Sequence, residues 1–174
     1  TDLVGLIEDK LTQFKFEACR LELEITESVF LSDNEFVMER LRHLKDLGIR
    51  IALDDFGTGF SSLAYLQRFP FDKLKLDKTF VLALEESGQS RAIAQAAISM
   101  AHALNLTVTA EGVETDAQAM FLRDQGCDEL QGFLYSRPQT YADLGPFLQA
   151  SDGVILHPYG TENGNVVSFS KRGQ

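Results

Sequence analysis

Arg50-Ile51-Ala52-Leu53-Asp54-Asp55-Phe56-Gly57-Thr58-Gly59-Phe60-Ser61-Ser62-Leu63 is the stretch that decides the fold: a short apolar run enters two adjacent carboxylates and then a glycine-rich turn. Ile51, Ala52 and Leu53 suit a strand covered on both faces, as parallel strands are. Successive strand residues point to opposite faces, so Asp54 and Asp55 serve one site only if the strand ends at Asp54 and the backbone turns at Asp55. Gly57 and Gly59 supply such a turn. Two neighbouring carboxylates repel unless a proton or a cation lies between them, and a divalent metal is a common remedy. The alternative is an exposed acidic turn leading into a helix cap, because Ser61 and Ser62 precede an apolar run.

Outward from this stretch, apolar and polar runs alternate between two periods. Leu3, Ile7, Leu11 and Phe14 share one face of a helix over residues 2–15. Arg20–Thr26 alternates as a strand. Ser32, Asp33 or Asn34 can cap the next helix, which carries Phe36, Val37, Leu41, Leu44 and Leu47 and stops at Gly48. A short helix over residues 61–68 is ended by Pro70. Leu74-Lys75-Leu76 reads as a strand ending at Asp77, and the alanine-rich stretch 90–104 as a helix. Leu106–Ala110 is the next strand, 116–125 a helix closed by Gly126, Glu129–Phe133 a last strand and 141–148 a last helix. Residues 151–174 have turn composition, with one short strand over Val166–Phe169. Strand, polar loop and helix recur five times, the signature of a parallel sheet.

The expected strand ends all carry chemistry: Glu24; Asp54 with Asp55; Lys75 with Asp77; Glu111 with Glu114; and Gln131. In a (β/α)8 barrel these ends converge on one face, whereas an open doubly wound sheet spreads them along an edge. Glu24, Asp54 and Asp55 offer oxygen ligands only, which suits Mg2+, Mn2+ or Ca2+. Two such ions bridged by a carboxylate, for which Asp54 is the best placed, are a recurring solution for phosphodiester hydrolysis. Lys75 among these acids would be paired and would orient water or bind phosphate; a solvated edge lysine is its other reading.

Composition narrows the partners. The 26 acidic against 16 basic side chains leave a formal charge of -10, which disfavours a nucleic-acid polymer or direct contact with an anionic membrane. A phosphorylated ligand therefore needs metal help. Cys19 and Cys127 have no ligand or framework spacing, so a reducing, cytoplasmic setting fits. No apolar run approaches the ~20 residues of a membrane helix. The glycine turn lacks the third glycine of a dinucleotide fingerprint, no His-Arg-Asp loop accompanies Asp55-Phe56-Gly57, and Ser28, Ser61 and Ser62 sit in no nucleophile elbow. His43, His102 and His157 show no ligand spacing. Phe60 and Phe133 are the aromatic side chains placed to stack on a base.

Five ordered motifs, Glu24-Ile-Thr-Glu27-Ser28, Asp54-Asp55-Phe-Gly-Thr-Gly-Phe-Ser-Ser-Leu63, Leu74-Lys75-Leu-Asp77, Glu111-Gly-Val-Glu114 and Gln131-Gly-Phe-Leu-Tyr-Ser-Arg-Pro138, closely resemble those of EAL-domain cyclic di-GMP phosphodiesterases. The resemblance implies a modified (β/α)8 TIM-like barrel that hydrolyses cyclic di-GMP to linear pGpG with Mg2+ or Mn2+, two ions in the complete domain, in bacterial second-messenger signalling. By motif position, Glu24 and Asp54 resemble metal ligands and Asp55 a ligand of the second metal. Glu111 is similar to the general base or second-metal ligand, and Lys75 to the lysine contacting the catalytic water. Glu27 resembles the anchor of the loop 56–63, which couples homodimerisation to metal binding in the family. Glu114, Gln131 and Asp77 resemble supporting or substrate-binding residues.

The family's Glu-x-Leu signature and a metal-binding asparagine find no counterpart before Glu24, and a typical barrel needs about 250 residues. The expectation is therefore a domain over 1–150 that is partial at its N-terminus, with about five βα units, followed by an irregular tail over 151–174. Weak metal binding, slow hydrolysis or none at all, and a tendency to aggregate are expected of the chain alone. An inactive cyclic di-GMP-binding or interaction module is the alternative.

Overall fold

A computed structural model describes residues 2–30, 35–57, 66, 68–138, 140, 142 and 143. The chain divides into two compact units, Thr1–Asp77 with Met100–Thr107 and Lys78–Ser99 with Val108–Gln174. The expected caps at 32–34 and the strand Val166–Phe169 with the rest of the tail lie outside the described residues, and of the expected helix 141–148 only Ala142 and Asp143 are described, both helical. Of the expected helix 61–68, only Leu66 and Arg68 are described, and both are helical.

In the first unit, helix α1 (Leu3–Phe14) precedes strand β1 (Glu22–Thr26), helix α2 (Glu35–Asp46), strand β2 (Arg50–Phe56) and strand β3 (Lys73–Leu76). β1 pairs with β2 and β2 with β3, both parallel, with Glu24 opposite Ala52 and Leu53 opposite Leu74. Arg20 falls in a 3-10 turn over Ala18–Arg20, so β1 starts two residues later than its alternation suggested. Ile49, Ile51, Leu53, Leu74 and Leu76 are buried together with Leu41 and Leu44 of α2, and Phe69 meets Phe71 edge to face at 4.7 Å. Gly48 ends α2 at φ +89, a conformation that a side chain resists.

α1 departs from expectation. Leu3 and Phe14 are 53% and 69% exposed, and Val4 is the buried residue of the helix. The helix meets α2 through Asp2–Arg40 at 3.1 Å and Glu8–His43 at 3.3 Å. Of the expected stripe, Ile7 and Leu11 are half-buried, while Leu3 and Phe14 at its two ends are exposed.

The second unit holds helix α3 (Lys78–Leu82), most of helix α4 (Gly88–Ala103), strand β4 (Thr107–Glu111), helix α5 (Asp116–Asp124) and strand β5 (Glu129–Gln131). β4 and β5 are parallel, with Thr109, Ala110 and Glu111 opposite Glu129, Leu130 and Gln131. β5 stops at Gln131 rather than at Phe133, because residues 133–135 form a turn in which Tyr135 N–H donates to Gly132 O. Val81, Leu84, Ala94, Val108, Ala110, Ala119 and Leu122 make the core.

One device occurs in both units. Asp72, just before β3, accepts the N–H of Ile51, the second residue of β2, at 2.7 Å. Asp128, just before β5, accepts the N–H of Val108, the second residue of β4, at 2.9 Å. Each carboxylate satisfies a strand-entry donor that the ladder leaves open. Phe71-Asp72-Lys73-Leu74-Lys75 and Cys127-Asp128-Glu129-Leu130-Gln131 are thus counterparts in structure, and both end in a residue singled out from the sequence.

Cys127 sits within the second of these segments, its Sγ donating to Val108 O and Glu129 O. Burial pushes its thiol from 9.0 up to about 12, while Cys19 is exposed. A folded-state value above the unfolded one means that the native protein holds an extra proton between these limits. Its contribution to stability is complete below pH 9 and is lost as pH rises toward 12. At pH 8 a disulfide reagent should therefore titrate one thiol rapidly, Cys19, and reach Cys127 only after denaturant is added. Equal rates in the native protein would contradict this burial.

Candidate functional site

In the first unit the strand ends assemble an acid–lysine cluster. Lys75 is 5% exposed on β3. Its Nζ lies 2.7 Å from Glu24 Oε1 of β1 and 3.1 Å from Asp54 Oδ1 of β2. The solvated-edge reading of Lys75 is thereby excluded. Asp77, one residue past β3, is 6% exposed.

The aspartate pair is shaped by the backbone. β2 continues to Phe56 instead of ending at Asp54, but its register against β3 is irregular between Leu53 and Phe56. Asp55 adopts φ +56, and Gly57 φ +95. The expected turn at Asp55 is therefore present as a bulge inside the strand. A bulge removes the strict alternation that would send adjacent side chains to opposite faces. Aspartate tolerates the left-handed region better than most residues. Glu27, in the 3-10 turn Glu27–Phe30 after β1, accepts the Gly57 N–H through Oε1 at 3.2 Å and so ties that turn to the end of β2.

Below this cluster lies a second ion pair that the motif reading missed. Lys73, 8% exposed, is paired with Glu22 Oε1 at 2.9 Å, and Arg50 Nε is 3.5 Å from Glu22 Oε2. The signal was in the sequence: Lys73 and Lys75, like Glu22 and Glu24, are two apart on a strand and share a face. The result is a two-rung ladder of buried lysines against strand carboxylates.

In the second unit, Glu111 ends β4 half-buried, directly opposite Gln131 of β5, while Glu114 is exposed. Their loop is closely determined. Gly112 takes φ +70 against Lys78, where a Cβ would come within 2.6 Å of the lysine Cβ. Val113 N–H donates to Gln131 O and its carbonyl accepts Leu134 N–H, each at 3.0 Å. Gln118, 4% exposed, accepts Glu114 N–H at 2.8 Å and Thr115 N–H at 3.1 Å, and Thr115 Oγ1 accepts Gln118 N–H in return. This capping box at the start of α5 holds the loop bearing Glu114. Thr115-x-x-Gln118 was its available sequence signal.

The donor chemistry fits a hard cation. Glu24, Asp54 and Asp55 supply oxygens only, and Asp54 Oδ1 is buried without a hydrogen bond, its contact with Lys75 falling outside hydrogen-bonding angles. Among the described residues no group of three or more His, Cys, Asp or Glu stands ready to hold a metal. Lys75 instead engages both Glu24 and Asp54.

Against known proteins, the model of the EAL domain family matches residues 2–138. Cyclic di-GMP phosphodiesterase NbdA of Pseudomonas aeruginosa is 46% identical over 148 residues, covering 85% of this chain and 19% of that protein. The PaMucR phosphodiesterase in complex with c-di-GMP superposes with a TM-score of 0.78 at 42% identity, over 82% of this chain and 57% of that one. Klebsiella pneumoniae BlrP1, in a manganese and cy-diGMP complex, gives a TM-score of 0.72 at 36% identity, over 79% of this chain and 35% of that one. The chain spans about a fifth of the length of the curated relatives it matches. The α/β barrel-type fold expected from the sequence is the fold shared with these structures.

Proposed function

The chain belongs to the EAL domain family, and from that premise we propose that it takes part in hydrolysis of one phosphodiester bond of cyclic di-GMP, giving linear pGpG, by a two-metal mechanism with Mg2+ or Mn2+. The observation that carries this reading is the convergence of Glu24, Asp54 and Lys75 from three successive parallel strands. Metal use is supported by the calcium and manganese complexes of BlrP1. It also answers the charge problem, since a protein of net charge -10 needs a cation to receive a doubly phosphorylated ligand.

In this reading Glu24 and Asp54 hold one ion and Asp55 the second. Such ions, when bound, lower the pKa of coordinated water and stabilise the leaving oxygen. Glu111 takes the proton from the attacking water or shares the second ion. Lys75 orients that water from the β3 side, and Asp77 supports the end of its strand. Glu27 anchors the start of the loop 56–63 through Gly57, while Glu114 and Gln131 support the substrate. The catalytic domain covers 1–150, with 151–174 as a tail, and it works as a homodimer in the cytoplasm. No described helix is long and apolar enough to cross a membrane.

Glu111→Ala is expected to leave cyclic di-GMP binding, measured by calorimetry, within a few-fold while lowering turnover about 10^3-fold, the scale of a lost general base. Turnover surviving this change would remove Glu111 from the chemistry. The second reading, an inactive cyclic di-GMP-binding module, is favoured by Lys75 engaging both proposed ligands. It is distinguished by binding without any pGpG from the unsubstituted protein.

A further inference from the structure

We propose that Lys75 sets the affinity of this site for a divalent cation, by competing directly for the oxygens that would ligate the ion. The inference rests on the assignment of Glu24 and Asp54 as ligands. Lys75 Nζ stands 2.7 Å from Glu24 Oε1 and 3.1 Å from Asp54 Oδ1, on a side chain only 6% exposed. Two adjacent carboxylates repel each other, and the ammonium relieves that repulsion within the folded chain. An ion that used Glu24 Oε1 and Asp54 Oδ1 would compete with Lys75 for the charge of both. The displaced ammonium then has to find other acceptors or water, a cost charged against the metal. A divalent ion overcomes it by bringing more charge than the lysine it replaces. Lys75 is thus a counter-ion that stabilises the site without metal and weakens metal binding in proportion.

The ladder supplies an internal control. Lys73 lies two residues earlier on the same strand, is 8% exposed, and pairs with Glu22 Oε1 at 2.9 Å, a carboxylate with no proposed role in metal binding. Removing either lysine removes one buried positive charge near the site. Lys75 is the lysine that meets Glu24 Oε1 and Asp54 Oδ1. General charge repulsion and direct competition therefore predict different outcomes for the two lysines.

The experiment is calorimetric titration of Mn2+ alone into the gene product carrying these 174 residues, unsubstituted and as Lys75→Met and Lys73→Met, with melting temperatures recorded with and without the ion. Lys75→Met should bind Mn2+ about tenfold tighter, the scale of one partly buried ion pair. It should also melt lower without metal and gain more in melting temperature from Mn2+. Lys73→Met should stay within about twofold of the unsubstituted affinity. Equal or weaker binding by Lys75→Met, or equal tightening by Lys73→Met, overturns the proposal. Binding of Mn2+ by none of the three overturns the ligand assignment and this inference with it, whereas equal binding by all three overturns the inference alone. Should a variant fail to fold, the unsubstituted protein decides. In a Mg2+ titration followed by NMR of the lysine side chains, the Lys75 ε-methylene signals should shift to saturation while those of Lys73 stay fixed. A stationary Lys75 at saturating Mg2+ overturns the proposal.

Discussion

Asp54→Asn is expected to reduce cyclic di-GMP turnover by roughly 10^3-fold or more. The change keeps the shape of the side chain and removes its charge. Asp54 Oδ1 is buried, accepts no hydrogen bond from a described residue, and meets Lys75 at 3.1 Å. In the proposed site it is a ligand oxygen, and an amide oxygen is a much weaker ligand for a hard cation than a carboxylate. The fold should tolerate the change better than the chemistry does. Lys75 keeps Glu24 at 2.7 Å, so its charge is not left alone, and the loss of stability should be about 1–2 kcal/mol. Specific activity, Mn2+ affinity and urea unfolding on one preparation separate the two effects. Activity within tenfold of the unsubstituted protein would remove Asp54 from the metal site.

Gly132→Ala is expected to have the largest effect on stability. A Cβ at this position would lie 2.1 Å from Val113 O, 2.3 Å from Val113 N and 2.7 Å from Val113 C, all backbone atoms. Nothing flexible can give way. Val113 is fully buried and both of its backbone groups are engaged, with Gln131 O and Leu134 N–H. Admitting a methyl group means separating the exit of β5 from the loop that carries Glu111 and Glu114. A loss of about 3 kcal/mol or more follows, at the upper end of overpacking costs. Gly88→Ala is the control: its added Cβ meets nothing within 4 Å and sits at the first position of α4, so stability should hold or rise by about 0.5 kcal/mol. Urea midpoints at unchanged slope test both. A Gly132→Ala protein within about 1 kcal/mol of the unsubstituted chain would refute the tight approach.

The strands and the polar residues at their ends were legible because short apolar or alternating runs, with Gly48 and Gly126 closing the helices before β2 and β5, leave little freedom in assignment. Helix α3 was not, since five residues from Lys78 to Leu82 are too few for a helical period to emerge. The bulge was half legible: the sequence required a turn at Asp55, but that it occurs within a continuing strand depends on the register of β3. On α1 the amphipathic spacing located the apolar stripe but not what covers it: Ile7 and Leu11 are half-buried, whereas Leu3 and Phe14 at its ends are exposed. At the site, the motifs found each residue type but not the pairing. Lys75 was expected near the acids, and its simultaneous contact with Glu24 and Asp54 emerges only when three strands lie side by side.

The most direct test of the function is product analysis. Cyclic di-GMP is incubated with Mn2+ and the gene product carrying these 174 residues, and the nucleotides are resolved by liquid chromatography. Linear pGpG should accumulate as the sole product, stop on addition of EDTA, and be absent with Asp54→Asn. Cyclic di-GMP that binds yet remains intact, or pGpG that still forms in EDTA, would contradict a metal-dependent phosphodiesterase.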